Sequence, residues 1–264
     1  MAHSTDPVHD GQIIGTIAQL DLHGVADAMR SLSVDLGGHD LAGALQRLVD
    51  TSAERVPGAR WASASLLRSG RFTTGAASDA VATRADALQY EIGSGPCVDA
   101  VLDDSVYVTG DVASDRRWEA WGQRVAAECG VRSVLAQRLH LLDDSGLIAA
   151  LNIYSDEPGA FDEHAVGMGL VLATHAALVL SETLAADRAA NLSRALASNR
   201  EIGLAMGILM QQHRVTSEQA FDLLRLASQD TNRKLADVAA DVADTGLLSI
   251  RRREGSALDA ALDG

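Results

Sequence analysis

The sequence predicts an α+β fold: an antiparallel-sheet domain, then a long helix with a coiled-coil seam, then a C-terminal three-helix unit. Three observations carry this. Hairpin-forming strand pairs are interleaved with helices between residues 38 and 160, which is the pattern of an antiparallel sheet rather than a parallel one. From Asp162 to Gln212 the chain meets no proline and reads as one helix of about 50 residues, far longer than a globular helix. Two short amphipathic helices follow, too short to fold alone.

Residues 1–37 carry one weak helical pattern (Ile13, Ile17, Leu20) and read as an N-terminal arm or packing helix ending at Gly37-Gly38. Asp40 is placed to cap a helix whose apolar face is Leu41, Leu45, Leu48 and Val49. Pro57-Gly58 stops it. Trp61 to Leu67 alternates as a half-buried strand, with Arg71 to Ala77 as its hairpin partner across Ser69-Gly70. Asp79 to Tyr90 reads as a helix or an irregular segment. Gly93-Ser94-Gly95-Pro96 is the strongest punctuation in the chain. A short helix from Cys97, a short strand Val106-Tyr107-Val108 and a helix from Arg117 to Glu128 come next. Arg132 to Leu142 and Gly146 to Ser155 read as two apolar strands joined at Asp143-Asp144.

The second half of the long helix shows a 3–4 alternation: Leu192, Ala195, Asn199, Ile202, Met206 and Leu209. That is the spacing of a dimer seam, with Asn199 as the polar residue that sets register. The competing reading is a helix packed inside its own chain. Thr216 and Gln219 form a capping-box pattern before the face Ala220, Leu223, Leu224 and Ala227. Asn232 is placed to cap the last helix, with face Leu235, Val238, Ala239 and Val242, stopped by Gly246. The expected division is 1–37 arm, 38–183 sheet domain, 184–246 seam and three-helix unit, 247–264 flexible tail.

Composition excludes several classes. Lys+Arg 22 against Asp+Glu 36 leaves a net charge of −14, so the mean field repels polyanions and any nucleic-acid contact must be local. Aromatics at 3% exclude a stacking platform for single strands. Two cysteines, Cys97 and Cys129, exclude a disulfide scaffold and fit a reducing, cytoplasmic setting. Met1 to Asp10 is polar, so no signal peptide is expected. Ala165 to Leu180, the longest apolar stretch, is shorter than a membrane span, so no membrane is expected as partner.

No catalytic or metal constellation is legible. The eight histidines show no ligand spacing, no CxxC occurs, and no nucleophile elbow occurs. The expectation is no enzyme, no metal and no cofactor. Trp61, Gly93, Ser94, Gly95 and Cys97 form a candidate set for an unknown small-molecule ligand, because amides at a helix start suit an anion. A tight loop required by the fold is the competing reading. Cys97 at a helix start is a candidate for a lowered pKa and a redox role.

The segments Ile202 to Met210, Thr216 to Arg225, Ala227-Ser228 and Asn232 to Ala239 together resemble an ANTAR domain, an RNA-binding module of bacterial antiterminators. Residues 38–183 resemble a GAF domain of the actinobacterial kind, on Ile92-Gly93-Ser94-Gly95-Pro96-Cys97 and the strand Ala149 to Tyr154. The resemblance implies a cytoplasmic transcription antitermination regulator. Its GAF part would sense or dimerise, and its ANTAR part would bind a leader transcript with paired hairpin loops, as a homodimer. The basic and polar residues on the resembling segment are Arg200, Arg214, Arg225, Ser228, Asn232, Arg233 and Lys234. Five basic against seven acidic residues over 195–248 leave that segment net −2, so loop shape rather than bulk charge must carry RNA recognition. Arg233 and Lys234 are expected in the first turn of the last helix, where free amides suit phosphate. Asp237, Asp241 and Asp244 are expected to face away from RNA. The alternative is a ligand- or redox-sensing module whose helical tail binds protein.

Overall fold

The computed structural model describes residues 40–142 and 146–248, with Ala26, Met29 and Arg30 before them. The rest of the N-terminal arm, the Asp143-Asp144 turn and the tail from 249 lie outside the described residues.

Helix α1 (Leu41–Arg55) starts where Asp40 accepts a hydrogen bond from the Gly43 amide. Strands β1 (Trp61–Arg68) and β2 (Arg71–Ala77) form the expected hairpin. Ser69 and Gly70 both have positive φ, the conformation a two-residue turn needs to match strand twist. Helix α2 (Ala80–Ile92) is capped by Asp79, which resolves the segment left open between helix and irregular. Helix α3 (Pro96–Asp103), strand β3 (Val106–Thr109) and helix α4 (Glu119–Cys129) follow. Strands β4 (Ser133–Leu139) and β5 (Ile148–Ser155) complete one sheet, order β2-β1-β5-β4-β3, with every neighbour antiparallel.

The two-residue period of the strands divides the sheet chemically. One face presents Ala62, Ala64, Leu135, Leu139, Leu151 and Ile153 to α1 and to the first half of α5 (Glu163–His213). That burial explains why α5 is so apolar there. By length and composition alone it is long and apolar enough to cross a membrane, but 56% of its apolar stretch is buried inside the protein. The other face carries Ser63, Ser65, Asn152 and Tyr154 beneath α2 and α3.

The chain divides into two compact units, residues 1–186 and 187–264. In the second, α5 continues into α6 (Ser217–Thr231) and α7 (Leu235–Thr245). Its core is Ala205, Leu209, Ala220, Leu223, Leu224, Ala227, Val238, Ala239 and Val242, with Ile202 and Met206 packed against it. The capping box at Thr216 and Gln219 forms as read.

Two expectations are corrected here. The seam splits: Leu209 is fully buried in its own unit's core and is not free for a partner helix, while Ile202 and Met206 are partly buried against that core. Leu192, Ala195 and Asn199 stay exposed. Helical periodicity alone is the same for both kinds of packing. Asn232 does not cap α7. It ends α6 in the left-handed region, φ 51, with its amide on the Gln229 carbonyl and the Arg233 amide on the Ser228 carbonyl. This is the paired-bond helix ending usually made by glycine, which asparagine tolerates. Lys234 stands at the N-cap of α7 without a side-chain bond.

Candidate functional site

In the second unit the candidate residues sit on and around α6. At its start, Arg214 follows α5 with φ 54 and is exposed. At its end, Ser228 donates to the Arg233 carbonyl at 2.6 Å, which locks the corner that presents Asn232, Arg233 and Lys234. Fifteen residues of helix separate the two ends, about 22 Å by helical rise, so Arg214 and the corner do not form one cluster. Gln212 donates to the Gly246 carbonyl at 2.9 Å and ties the end of α7 to the end of α5.

Ion pairing sorts the basic groups. Arg225 pairs with Asp222 at 3.0 Å on its own helix. Arg233 pairs with Asp241, which holds the guanidinium charged and the carboxylate below the usual range. On the acidic side of α7, Asp241 reaches back to the basic corner. Arg200, Arg214 and Lys234 make no ion pair among the described residues. Phe221, 40% exposed, was missed in the sequence. It stands one turn before Arg225 and shares an exposed stripe with Arg225, Ser228 and Asn232. The signal available was its spacing, i to i+4, from a basic residue on the flank of the apolar face.

In the first unit, the polar face of the sheet holds a buried carboxylate. Asp86 on α2 accepts from Tyr154 at 2.6 Å, Thr74 at 2.8 Å, Ser63 at 2.9 Å and Asn152 at 3.0 Å. All four donors are neutral. Burial pushes Asp86 up to about 6, against the pull of those hydrogen bonds. Ser65 bonds Tyr90 at 2.6 Å and takes the Cys97 thiol at 3.2 Å, so Cys97 joins the same cluster. Asn152 Oδ1 is buried without a partner, as are both amide atoms of Gln137 beneath α5.

The Gly93–Cys97 segment packs against this cluster. Gln89 accepts from the Cys97 amide at 2.8 Å, so the helix-start amide is already used. A Cβ on Gly95 would lie 2.4 Å from Gln89 Oε1, and φ there is +156°. The glycine is needed for that close approach. Cys97 is fully buried, and burial raises its thiol to about 12, so the lowered pKa expected at a helix start is overturned. Cys129 is also raised by burial. Trp61 is half-buried at the rim of the α2–α4 core, with the Arg60 guanidinium 5.2 Å over its ring. No group of three or more metal-ligating side chains occurs among the described residues.

Comparisons with known proteins agree with the two units. The GAF domain family model matches residues 38–181 and the ANTAR domain family model matches residues 190–242. Among solved structures, the fold is similar to the GAF domain of a phosphoenolpyruvate-protein phosphotransferase from Coxiella burnetii. That match has 16% identity, 64% of this chain and 99% of the other covered, and TM-score 0.50. It is also similar to the GAF domain of an Acinetobacter phosphoenolpyruvate-protein phosphotransferase, at 14% identity, 62% and 97% covered, TM-score 0.46. A free methionine-R-sulfoxide reductase from Neisseria meningitidis, solved with its substrate, matches at 19% identity, 63% and 91% covered, TM-score 0.46. At these identities the likeness is one of fold. No curated protein matches the chain.

Proposed function

The chain belongs to the GAF domain family and carries an ANTAR domain behind its GAF domain, and from that premise we propose that it is a cytoplasmic RNA-binding transcription antitermination regulator. GAF with ANTAR is a regulatory architecture, not an enzymatic one, and the reading includes no enzymatic activity. The working division is a sensor or dimerisation module over 38–183 and an RNA-binding part over 184–246.

The ANTAR match, running through all three helices of the second unit, is the observation that carries the reading. The geometry supports it. That unit has an apolar core and presents Phe221, Arg225 and the Asn232–Lys234 corner outside. An unpaired loop base offers a plane for the Phe221 ring or a guanidinium, and phosphate suits Lys234, Arg200 and Arg214.

The protein acts as a homodimer in this reading. Leu192 and Leu196, each 61% exposed, continue through Asn199 and Gly203 at seam spacing, on a face other than the one buried in the unit's core. Two RNA-binding units on one seam make the second loop contact intramolecular, at a high effective concentration. A transcript with paired hairpin loops should then bind far more tightly than one with a single loop.

The test is a titration of both RNAs against wild type, Phe221→Ala, and Arg233→Ala with Lys234→Ala. The double variant should lose about 1–3 kcal/mol of affinity, the range for charge-assisted contacts. Equal affinity for one-loop and two-loop RNAs would remove the paired-site idea. Leu192→Asp with Leu196→Asp should give monomers in sedimentation.

A second reading has the helical tail bind protein. It draws on the net −2 charge of 195–248 and on the exposed Phe221 and Leu226. Absence of any salt-dependent RNA binding would favour it. Its redox form is weakened by the burial of Cys97.

A further inference from the structure

A cleft of about 270 Å³ opens at the β3 edge of the sheet and shares no residue with the Asp86 cluster. One wall is the apolar stripe Leu170, Ala173, Ala177 and Leu178, on one face of α5. The polar lining is Asp104, which ends α3, with Arg138 and His140 at the end of β4.

We propose that this cleft binds a small amphiphilic monocarboxylate, its carboxylate on Arg138 and its hydrocarbon part along the α5 stripe. The apolar wall stands open: Leu178 is 56% exposed, a surface that a hydrocarbon would take out of water. The volume admits about nine groups of water size, which limits the ligand to the scale of octanoate.

Charge fixes which end group fits. Arg138 makes both of its contacts through Nη1, to the Val101 carbonyl at 3.3 Å and to Asp104 at 3.4 Å. Its Nε is buried without a partner, and Nη2 makes no hydrogen bond among the described residues. The partly exposed end of the guanidinium therefore keeps donor capacity at Nη2, and a carboxylate is the acceptor that matches that charge. Asp104 already answers two bases, since His140 Nδ1 lies 3.6 Å from the same oxygen that faces Arg138. An ammonium ligand would have to compete for that one carboxylate.

Helix α5 forms the cleft wall and continues without a break to His213. A ligand in the cleft thus bears on the helix that leads into the ANTAR domain. That consequence rests on the regulator reading; the binding itself does not.

The experiment is calorimetric titration of the full chain with octanoate, with octylamine as the opposite-charge probe. Octanoate should bind once per chain, and octylamine at least tenfold more weakly. Arg138→Gln should weaken octanoate about tenfold or more, the effect of losing a charged hydrogen-bond donor. Thr174→Phe, an exposed position that lines the cleft, should block it, and Leu178→Asp should repel the chain; neither position lies in the core, so melting should stay at the wild-type value. No octanoate binding at millimolar concentration overturns the proposal. So does equal binding by wild type and all three variants, or tighter binding of octylamine. Loss of the paired-loop RNA effect, with octanoate binding intact, would strike the regulator reading and leave this site standing.

Discussion

The two units dispose of their polar chemistry in opposite ways. The GAF unit folds it inward: Asp86, Ser63, Ser65, Asn152, Tyr154 and Cys97 are buried and bonded to one another beneath α2 and α3. The ANTAR unit has a core of apolar residues alone and leaves its basic and polar side chains on the surface. Chemistry-bearing residues are thus structural in the first unit, where changing one disturbs a network. In the second they lie at the surface, where Arg225 and Arg233 hold only half-exposed ion pairs and changing either costs little stability.

The comparison breaks most sharply at the seam. Leu209→Ala should cost about 2–5 kcal/mol in chemical denaturation, because the residue is fully buried in the core of the second unit. Leu196→Ala should cost less than about 0.5 kcal/mol in the monomer, since it is exposed. Equal costs would mean that α5 packs on a different face.

The buried carboxylate gives the next largest effect. The folded-state pKa of Asp86 is raised to about 6, so the ionised form penalises the folded state above that pH. The penalty fades as pH falls through 6 and is gone below the ordinary value of 3.8. Stability of wild type relative to Asp86→Asn should therefore rise by about 2–3 kcal/mol between pH 7 and pH 3.5. A flat difference across that range would show that Asp86 is hydrated and that the polar core is open.

Asn232 sharpens the reading of the α6 ending. Asn232→Val should destabilise the second unit by about 1–2 kcal/mol, the cost of a left-handed backbone for a side chain that cannot bond locally. Asn232→Gly should be neutral or slightly stabilising, read by thermal melting. The smallest effect is expected at Arg233→Ala. Its pair with Asp241 is half-exposed, so the stability change should stay within about 0.5 kcal/mol, even where RNA affinity falls. A larger loss would make Arg233 a structural residue.

Most element boundaries were legible because they rest on local chemistry. Asp40, Asp79 and Thr216 cap where their side chains reach amides two or three residues on, and Gly130 and Gly246 end helices in the left-handed region. Asn232 misled for a physical reason: asparagine suits a helix start and a left-handed helix end equally, and the residues after it decide which. The Asp86 cluster was not legible, since it joins residues 63, 65, 74, 86, 152 and 154 from β1, β2, α2 and β5, which no local spacing records.

By itself the sequence determined the α+β order, the long helix, the three-helix ending and the resemblance of each half to its family, because periodicity, caps and turns act over a few residues. Only the tertiary structure decided what those residues face. It turned Leu209 into the unit's own core, left Leu192 and Leu196 outside, and opened a cleft beside Arg138. It also buried Cys97 until its thiol rose to about 12. Burial and partner choice depend on segments far apart in the chain, and the cost of removing a charge or thiolate from water is set by that assembly rather than by the residue.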